Sequence, residues 1–330
     1  MDKINIIKKI LYVVVFIAIY QILLFLCSSA KFVYQHFIVK EANLIKKYGA
    51  NSFVLITGGS SGQGKQFALN FAKRGFNIFL IGSERSKNTI KEINRKYPNI
   101  KTVFIEKDFR QSFKKGFFDI IEEKIKKLDG NISILVNNVG HRTAWDPYHE
   151  MPEQLINDTI AVGTIVQSQL IRICIPHFLK RKHKSCILNI TAQCIIPTYG
   201  LGEILSNQIS IPYLSVYEAS NAYGHYHANS IIKEYEKYNN KLDILNIMPG
   251  AVLTENTKFL KNTMFAINDD KFVNNIMKIV GNFYGNYYGY WGHELSILLM
   301  NLFPFLKNPV LHKVGHTIAH DYMNMPKKKY

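Results

Sequence analysis

Short apolar runs alternate with longer segments of mixed polarity through the middle of the chain. Six of these runs read SFVLITGG, FNIFLIGS, TVFIEKDF, ISILVNNVG, SCILNIT and KLDILNIMPG. Helix-compatible segments lie between them, such as QGKQFALNFAKRG, which Gly75 closes. Apolar strands that alternate with helices indicate a parallel sheet covered on both faces. We therefore predict one doubly wound, Rossmann-like α/β domain with about seven strands.

A much longer apolar run stands near the start of the chain. Residues 10–27, ILYVVVFIAIYQILLFLC, contain no charge, and Gln21 is the polar exception. Such a run is long enough to span a bilayer. Its basic flanks do not fix an orientation: Lys3, Lys8 and Lys9 precede it, and Lys31 and Lys40 follow it. A cleaved signal peptide, with SSA at 28–30 as its cleavage site, is the alternative, but its apolar core is usually shorter. We predict a retained membrane anchor.

The pattern divides the chain into three parts. Residues 1–47 form the anchor and a connector, 48–260 form the Rossmann domain, and 261–330 form an extension with a basic tail. The extension contains NFYGNYYGYWGHELSILLMNLFPFL. This aromatic stretch fits a core helix, a lid over a substrate channel or a patch at the membrane surface, and we favour the last two.

The C-terminal tail contains a candidate signal for the location of the protein in the cell. Lys327 and Lys328 lie four and three residues from the end, as in the dilysine retrieval signal of endoplasmic reticulum membrane proteins. We predict that membrane, with the folded domain facing the cytosol. A mitochondrial membrane is the main alternative location, and a plain basic tail is the alternative explanation of the lysines.

Charge and cysteine content limit the partners. The net charge is +17, which favours nucleic acid, anionic lipid or an anionic ligand such as a CoA ester, although it also fits a solvated basic surface. No nucleic-acid-binding signature accompanies it, so we predict no nucleic acid partner.

The cysteines and histidines give no sign of a disulfide or metal framework. No CxxC pair occurs among Cys27, Cys174, Cys186 and Cys194, which fits a reduced compartment. We expect no metal site at His141, His225 and His227, because the last two are spaced i, i+2 and do not share a helix face.

A glycine-rich turn follows the first predicted strand. It reads Thr57-Gly58-Gly59-Ser60-Ser61-Gly62-Gln63-Gly64 and leads into a predicted helix. Glycines allow a tight turn that approaches a pyrophosphate closely, and the helix offers free N–H groups and a positive dipole end. Asp108 follows the third strand and NNVG at 137–140 follows the fourth. This context predicts a dinucleotide site.

These motifs occur in the order seen in one known family. The glycine turn, Asn137-Asn138-Val139-Gly140, Tyr217 and Pro249-Gly250 resemble the short-chain dehydrogenases/reductases over residues 48–260. YGANSFVLITGG, ILVNNVG, ILNIT and the N-terminal anchor are similar to its membrane-bound branch. That branch contains the 3-ketoacyl-CoA reductases of fatty-acid elongation and related 17β-hydroxysteroid dehydrogenases.

The resemblance implies a nicotinamide nucleotide. Gly58, Gly62 and Gly64 are then expected at the pyrophosphate, and Asp108 at the adenine. Asn137 and Gly140 border the adenosine ribose, and Thr254 meets the nicotinamide amide. Ser83 stands where the family's NADP-specific arginine usually lies, with Arg85 two residues on, which implies a slight preference for NADP(H) over NAD(H). The remaining expected cofactor contacts are Thr57, Ser60, Ser61, Tyr217, Pro249 and Gly250.

The resemblance also maps four catalytic positions. Tyr217 is the proton donor, but the family's lysine is replaced by Asn221. The serine position holds Ala192, with Thr191 as a possible stand-in, and additional residues within 197–210 precede Tyr217. The family's asparagine, which holds a relay water, is replaced by Gly163, or by Thr159 if the alignment shifts.

Three substituted positions lead to two hypotheses. The first is a catalytically impaired member that keeps its nucleotide pocket and serves as a binding or structural component, within a membrane assembly or a homodimer. Losing one acid–base group typically costs ~10²–10⁴ in rate, so 3-ketoacyl-CoA reduction at least ~10³-fold below that of an intact member is expected. The alternative is an active NADPH-dependent reductase of 3-ketoacyl-CoA or of a steroid-like ketone.

Overall fold

The structure is a computed structural model. It describes residues 3–128, 131–141, 145–193, 211–257, 260 and 263–323. The predictions about Cys194, the additional segment 197–210 and the Lys327–Lys328 tail lie outside the described residues.

The centre of the molecule is a seven-stranded parallel sheet. Its order is β3-β2-β1-β4-β5-β6-β9, and β7 and β8 form a separate parallel pair. The strands are β1 (Phe53–Thr57), β2 (Asn77–Gly82), β3 (Thr102–Glu106), β4 (Ile132–Asn137), β5 (Ser185–Ile190), β6 (Leu242–Ile247), β7 (Ala251–Leu253), β8 (Ala266–Asn268) and β9 (Gly285–Tyr287). The predicted Rossmann-like class is confirmed, and each of the six apolar runs contains one strand of the sheet.

The helices are α1 (Lys3–Val33), α2 (Leu44–Tyr48), α3 (Gly62–Lys73), α4 (Ser86–Lys96), α5 (Asp119–Lys127), α6 (Glu153–Ile160), α7 (Val166–Lys180), α8 (Ser215–Glu234), α9 (Asp269–Ile279), α10 (Trp291–Leu302) and α11 (Pro304–Met323). Several of them cover the two faces of this sheet. One face buries Phe67 and Phe71 of α3 against Phe272 of α9. The other face buries Leu170 and Phe178 of α7. A π-helical turn, Ala161–Ile165, joins α6 to α7.

The sheet continues beyond the boundary expected at residue 260. The seventh strand, β9, pairs with β6 through Leu245↔Gly285 and Ile247↔Tyr287. It lies inside the aromatic stretch for which a lid or a membrane patch was favoured. Part of that stretch is therefore core sheet, and only α10 and α11 remain available for covering a channel or meeting a membrane.

The first helix has the character of an anchor. Asn5–Ile38 is apolar enough to cross a bilayer by length and composition, and its apolar window is 0% buried. Glu153–Lys180 passes the same test, but 56% of its window is buried, as expected of a core helix. The connector after α1 is fastened to the domain: Lys47 Nζ lies 2.8 Å from Asp243 Oδ2, and the Tyr48 hydroxyl donates to the same carboxylate over 2.9 Å.

Candidate nucleotide and active site

A cavity of 1890 Å³ opens at the carboxyl ends of the parallel strands. This is where open α/β sheets bind their ligands. The loops after β1, β2, β3, β4, β5 and β6 contribute to it, and α8, α10 and α11 close its far side. Each residue predicted to bind the cofactor or to hold a catalytic position lines this one cavity. The distant sequence motifs are therefore brought together.

The glycine turn has a geometry that favours glycine. Gly58 and Gly62 have φ of +73° and +57°, in the left-handed region. A Cβ on Gly64 would lie 2.1 Å from the Gly58 carbonyl oxygen and 2.5 Å from Asn138 Nδ2. At Ser61, before α3, the side chain makes no capping hydrogen bond. The first N–H groups of α3 thus remain available to an anion, as a pyrophosphate requires.

Thr57 and Asn138 hold the turn in place. The Thr57 hydroxyl accepts from the backbone N–H groups of Asn138 and Val139 over 3.0 and 3.1 Å. Asn138 Nδ2 donates to the carbonyl oxygens of Thr57 and Gly58 over 3.0 and 3.1 Å. The Thr57 hydroxyl, expected at the cofactor, is therefore committed to the protein. Asn138 is a positioning residue that the sequence did not reveal.

Asn137 and Gly140 fit the ribose position that the resemblance gave them. Asn137 Nδ2 donates to Asn189 Oδ1 over 2.8 Å, while its buried Oδ1 has no hydrogen-bond partner among the described residues. A Cβ built on Gly140 meets no atom within 4 Å. Both residues line the cavity, and the open space at Gly140 leaves room for a ligand.

Basic and acidic side chains both line the cavity after β2 and β3, where the adenosine end is expected. Ser83 and Arg85 follow β2 and line the cavity, just before α4 begins. Asp108 follows β3 and pairs with Arg110, whose Nη2 lies 2.7 Å from Asp108 Oδ2. Hydrogen bonds from Arg110 hold the pKa of Asp108 below its ordinary value. Asp108 is thus an ionised acceptor at the position expected for the adenine.

Tyr217 lies in the first turn of α8 and lines the cavity. It packs against an apolar cluster of Trp145, Leu214 and Ala319, and Ile318 and Tyr322 of α11 pack against the same cluster. One turn later, Asn221 Nδ2 donates to the Tyr217 carbonyl oxygen over 2.9 Å. Asn221 therefore occupies the expected lysine position but places no positive charge next to the phenol.

The position expected for the catalytic serine holds alanine, and the residue before it, Thr191, is polar. Ala192 lines the cavity without a hydroxyl. The buried Thr191 hydroxyl donates to Asn246 Oδ1 over 3.1 Å and lies 3.2 Å from the Ile247 carbonyl oxygen, both on β6. Its hydrogen bonds are thus made within the sheet, so the structure does not favour Thr191 as the stand-in.

Gly163 lies in the π-helical turn Ala161–Ile165. Such turns free backbone groups and are frequent at functional sites. Gln167 Nε2 donates to the Gly163 carbonyl oxygen over 2.9 Å. A Cβ on Gly163 would lie 2.8 Å from the Ser220 side chain.

The alternative residue for the asparagine position, Thr159, donates to the Leu155 carbonyl oxygen over 2.7 Å. Gln167, which lines the cavity, escaped the sequence reasoning because its role depends on the π-helical turn.

Glu218 is a second cavity residue that the sequence did not single out. It follows Tyr217 on α8, and its carboxylate accepts from the Ile211 backbone N–H at 3.0 and 3.2 Å. Burial raises the pKa of Glu218 to about 7. The cavity thus contains a carboxyl group that changes charge near neutral pH.

Replacing Glu218 with glutamine is expected to alter the pH dependence of stability. The folded pKa is raised, so ionisation costs stability progressively as pH rises from about 4.5 to about 7, and the full penalty remains above pH 7. The glutamine side chain keeps an acceptor for the Ile211 N–H and cannot ionise. We expect Glu218→Gln to stabilise the protein at pH 8 by about 1–2 kcal/mol, after allowing for solvent screening, and to have little effect at pH 4.5.

Thermal unfolding of the full chain in detergent, at pH 4.5 and pH 8, measures this difference. The exposed Glu123 offers a control, and Glu123→Gln should change stability by less than about 0.5 kcal/mol at both pH values. Equal effects of the two substitutions at pH 8 would show that Glu218 is not held in a desolvating environment.

The histidines near the motifs have other partners. His225 contacts Asn229 and Asn246 over 2.9 and 3.1 Å, and His227 stacks on Tyr223. His141 Nδ1 lies 3.4 Å from the Thr159 hydroxyl at the cavity wall. In the part of the chain that the structure describes, no three His, Cys, Asp or Glu side chains are grouped as a metal site would require.

The fold and the motifs agree with comparisons to known proteins. The family model described as short chain dehydrogenase matches residues 52–264. The chain therefore belongs to the short-chain dehydrogenase/reductase family, as its motifs predicted.

Individual relatives indicate which branch of the family the chain is similar to. The chain is 30% identical over 274 residues to a very-long-chain 3-oxoacyl-CoA reductase of Caenorhabditis briggsae, covering 81% of this chain and 80% of the relative. It is 28% identical over 276 residues to hydroxysteroid dehydrogenase-like protein 1 of Gallus gallus, covering 81% and 76%. A short-chain dehydrogenase from Sphingobium yanoikuyae, solved with NADPH, superposes with a TM-score of 0.55 at 20% identity, covering 68% of this chain and 83% of that one. The predicted similarity to the 3-ketoacyl-CoA reductase and hydroxysteroid dehydrogenase branch is thus confirmed.

Proposed function

We propose that this protein is a membrane-attached, slow NADPH-dependent reductase of large apolar ketones, with a long-chain 3-oxoacyl-CoA as the first candidate substrate. The observation that carries the proposal is the single cavity in which the glycine turn, Tyr217 and the apolar walls of α10 and α11 meet. The reductase relatives, which are similar over about four-fifths of the chain, support the same activity.

The size and walls of the cavity support a bulky substrate. Its volume of 1890 Å³ exceeds the ~300–1,000 Å³ typical of small-molecule pockets, so a cofactor and an extended ligand fit together. Beyond Tyr217 the walls are apolar. They include Trp145, Leu214, Met300, Leu311 and Ile318. An acyl chain or a steroid-like skeleton matches such walls.

The cofactor preference is proposed from charge. Arg85 offers a cation beside the expected adenosine end of the cavity, which suits the additional phosphate of NADP(H). The solved relative with NADPH agrees with this choice. When bound, the cofactor supplies the hydride that reduces a carbonyl carbon.

The chain's own residues then supply the proton. The phenol of Tyr217 donates it to the carbonyl oxygen as the alcohol forms, which is general acid catalysis. Asn221 orients α8 through its bond to the Tyr217 carbonyl oxygen but cannot lower the phenol pKa electrostatically, because it is uncharged. These features predict slow turnover.

A second candidate function is binding without turnover. Specific observations favour it: Ala192 has no hydroxyl, the Thr191 hydroxyl is committed to β6, and Gln167 occupies the carbonyl of Gly163. In that case the chain would hold nucleotide and an apolar ligand as part of a membrane assembly or a homodimer. The reductase relatives favour the active alternative.

The location is proposed from the anchor and the relatives. The exposed apolar surface of α1 and the kinship with very-long-chain 3-oxoacyl-CoA reductases fit the endoplasmic reticulum membrane, with the domain in the cytosol where NADPH and acyl-CoA are present. We keep a working division into an anchor at 1–47, a domain at 48–260 and an extension at 261–330. The strand β9 is assigned to the domain.

The test is ketone-dependent oxidation of NADPH by the full chain in lipid nanodiscs. We expect oxidation above the ketone-free rate when a long-chain 3-oxoacyl-CoA is added, at a rate ~10²–10⁴-fold below an intact family enzyme. NADPH binding without any ketone-dependent oxidation would reject the reductase and leave the binding function.

A further inference from the structure

Four residues within α10, α11 and the junction between these helices mark the mouth of the cavity. Leu299, Phe303, Val310 and Val314 line it, and yet they are 40%, 46%, 46% and 40% exposed. We call them the mouth residues. Phe265, which is 38% exposed, also lines the cavity. A group of exposed apolar side chains around a ligand opening is unusual at a surface that only water covers.

The end of the anchor is fastened to the same element. His36, just after α1, places its Nε2 2.8 Å from Glu294 Oε2 in the first turn of α10. Lys31 Nζ lies 5.1 Å from the centre of the Tyr287 ring, and the Tyr34 and Phe283 rings meet edge to face at 6.2 Å. The end of the anchor is therefore held against the domain by several contacts.

This attachment brings the mouth close to the bilayer. Leu299 lies five residues beyond Glu294 on α10, which is about 8 Å along the helix axis. The mouth therefore lies near the point where the end of the anchor contacts the domain. Phe37 and Ile38 at the end of the anchor are also exposed and apolar.

We infer that the mouth residues dip into the bilayer that holds α1, and that the apolar ligand enters the cavity from the lipid phase instead of from water. The occupant of this surface is the acyl-chain and headgroup boundary of the membrane. The net charge of +17 and the exposed Lys313 beside Val314 suit a membrane with anionic lipid. The inference rests on the proposed membrane attachment, and it specifies how the proposed substrate reaches the site.

Lipid quenching of a fluorescent label tests the contact. The full chain is placed in nanodiscs of zwitterionic and anionic phospholipid that carry nitroxide on the acyl chain. A label is attached at Val310→Cys, and in a second protein at Leu299→Cys, in a background with Cys27→Ser and Cys194→Ser. The matched control is Phe113→Cys, since Phe113 is 59% exposed and apolar but does not line the cavity. A label on the native Cys27 of α1, in a chain with Cys194→Ser, reports the anchor itself.

We expect quenching at Val310 and Leu299 to exceed that at Phe113 at least about twofold, with Cys27 quenched as well. Quenching at Cys27 with none above the Phe113 level at either mouth position would overturn the inference and leave the membrane attachment standing. A Cys27 label that lipid nitroxide does not quench would remove the attachment and the inference together, while the reductase assay on added substrate would remain interpretable.

Discussion

Valine at position 64 is expected to abolish nucleotide binding. In the structure, a Cβ at this position would lie 2.1 Å from the Gly58 carbonyl oxygen and 2.5 Å from Asn138 Nδ2, so the turn must open to admit a side chain. Overpacking of this kind typically costs 1–3 kcal/mol. We expect Gly64→Val to weaken NADPH binding at least about 100-fold, as measured by titration of the full chain in detergent. The same titration with NADH tests the proposed preference for NADPH.

A second substitution separates loss of the site from loss of the fold. Gly140→Val adds bulk where a Cβ meets no atom within 4 Å, so it enters open cavity without straining the protein. We expect it to weaken NADPH binding while thermal stability without ligand is unchanged. Wild-type affinity in both variants would remove this cavity as the nucleotide site.

Restoring two catalytic groups is expected to raise the reductase rate substantially. Asn221→Lys adds a cation that favours the ionised form of Tyr217, and Ala192→Ser adds a hydroxyl at the cavity wall. We expect the single lysine to raise kcat/KM less than about tenfold and the double variant to raise it about 10²-fold or more, because acid–base groups that work as a unit are not additive. Ketone-dependent NADPH oxidation in nanodiscs is the measurement.

The choice of these two positions follows from packing. Restoring the third, Gly163→Asn, would bring a Cβ within 2.8 Å of the Ser220 side chain, so it is left out of the test. Thr191→Val serves as the control, because the Thr191 hydroxyl bonds within the sheet and is not expected to touch substrate. A double variant no faster than wild type, with NADPH affinity intact, would show that the mapped positions do not carry the chemistry.

Much of the fold could be predicted from the sequence because the strands are buried on both faces. β1, β2 and β4 are buried throughout, and such strands appear as continuous apolar runs between turns. β9 escaped prediction because it has three residues, begins with glycine and lies among aromatic residues that also fit a helix. The position of β9 in the sheet is determined by its pairing with β6, and a local sequence pattern carries no information about that pairing.

The candidate site was predictable in position but less so in contacts. The glycine turn and NNVG are local signals, so the cofactor residues could be named in advance. Thr191 could not be assigned, because its hydroxyl finds Asn246 on another strand. Gln167 and Glu218 make their contacts through a π-helical turn and through the Ile211 backbone N–H, which arise from tertiary packing. Their contacts were therefore the hardest to predict.

We propose that an apolar ketone is reduced by NADPH in this cavity with Tyr217 as the proton donor, and a single-turnover experiment tests this most directly. The full chain in nanodiscs, in excess over a long-chain 3-oxoacyl-CoA and saturated with NADPH, is sampled for 3-hydroxyacyl-CoA by mass spectrometry. The account predicts complete conversion by wild type and conversion ~10²-fold slower by Tyr217→Phe with unchanged NADPH affinity. Ketone that stays unreduced by wild type, or equal rates in the two proteins, would contradict it.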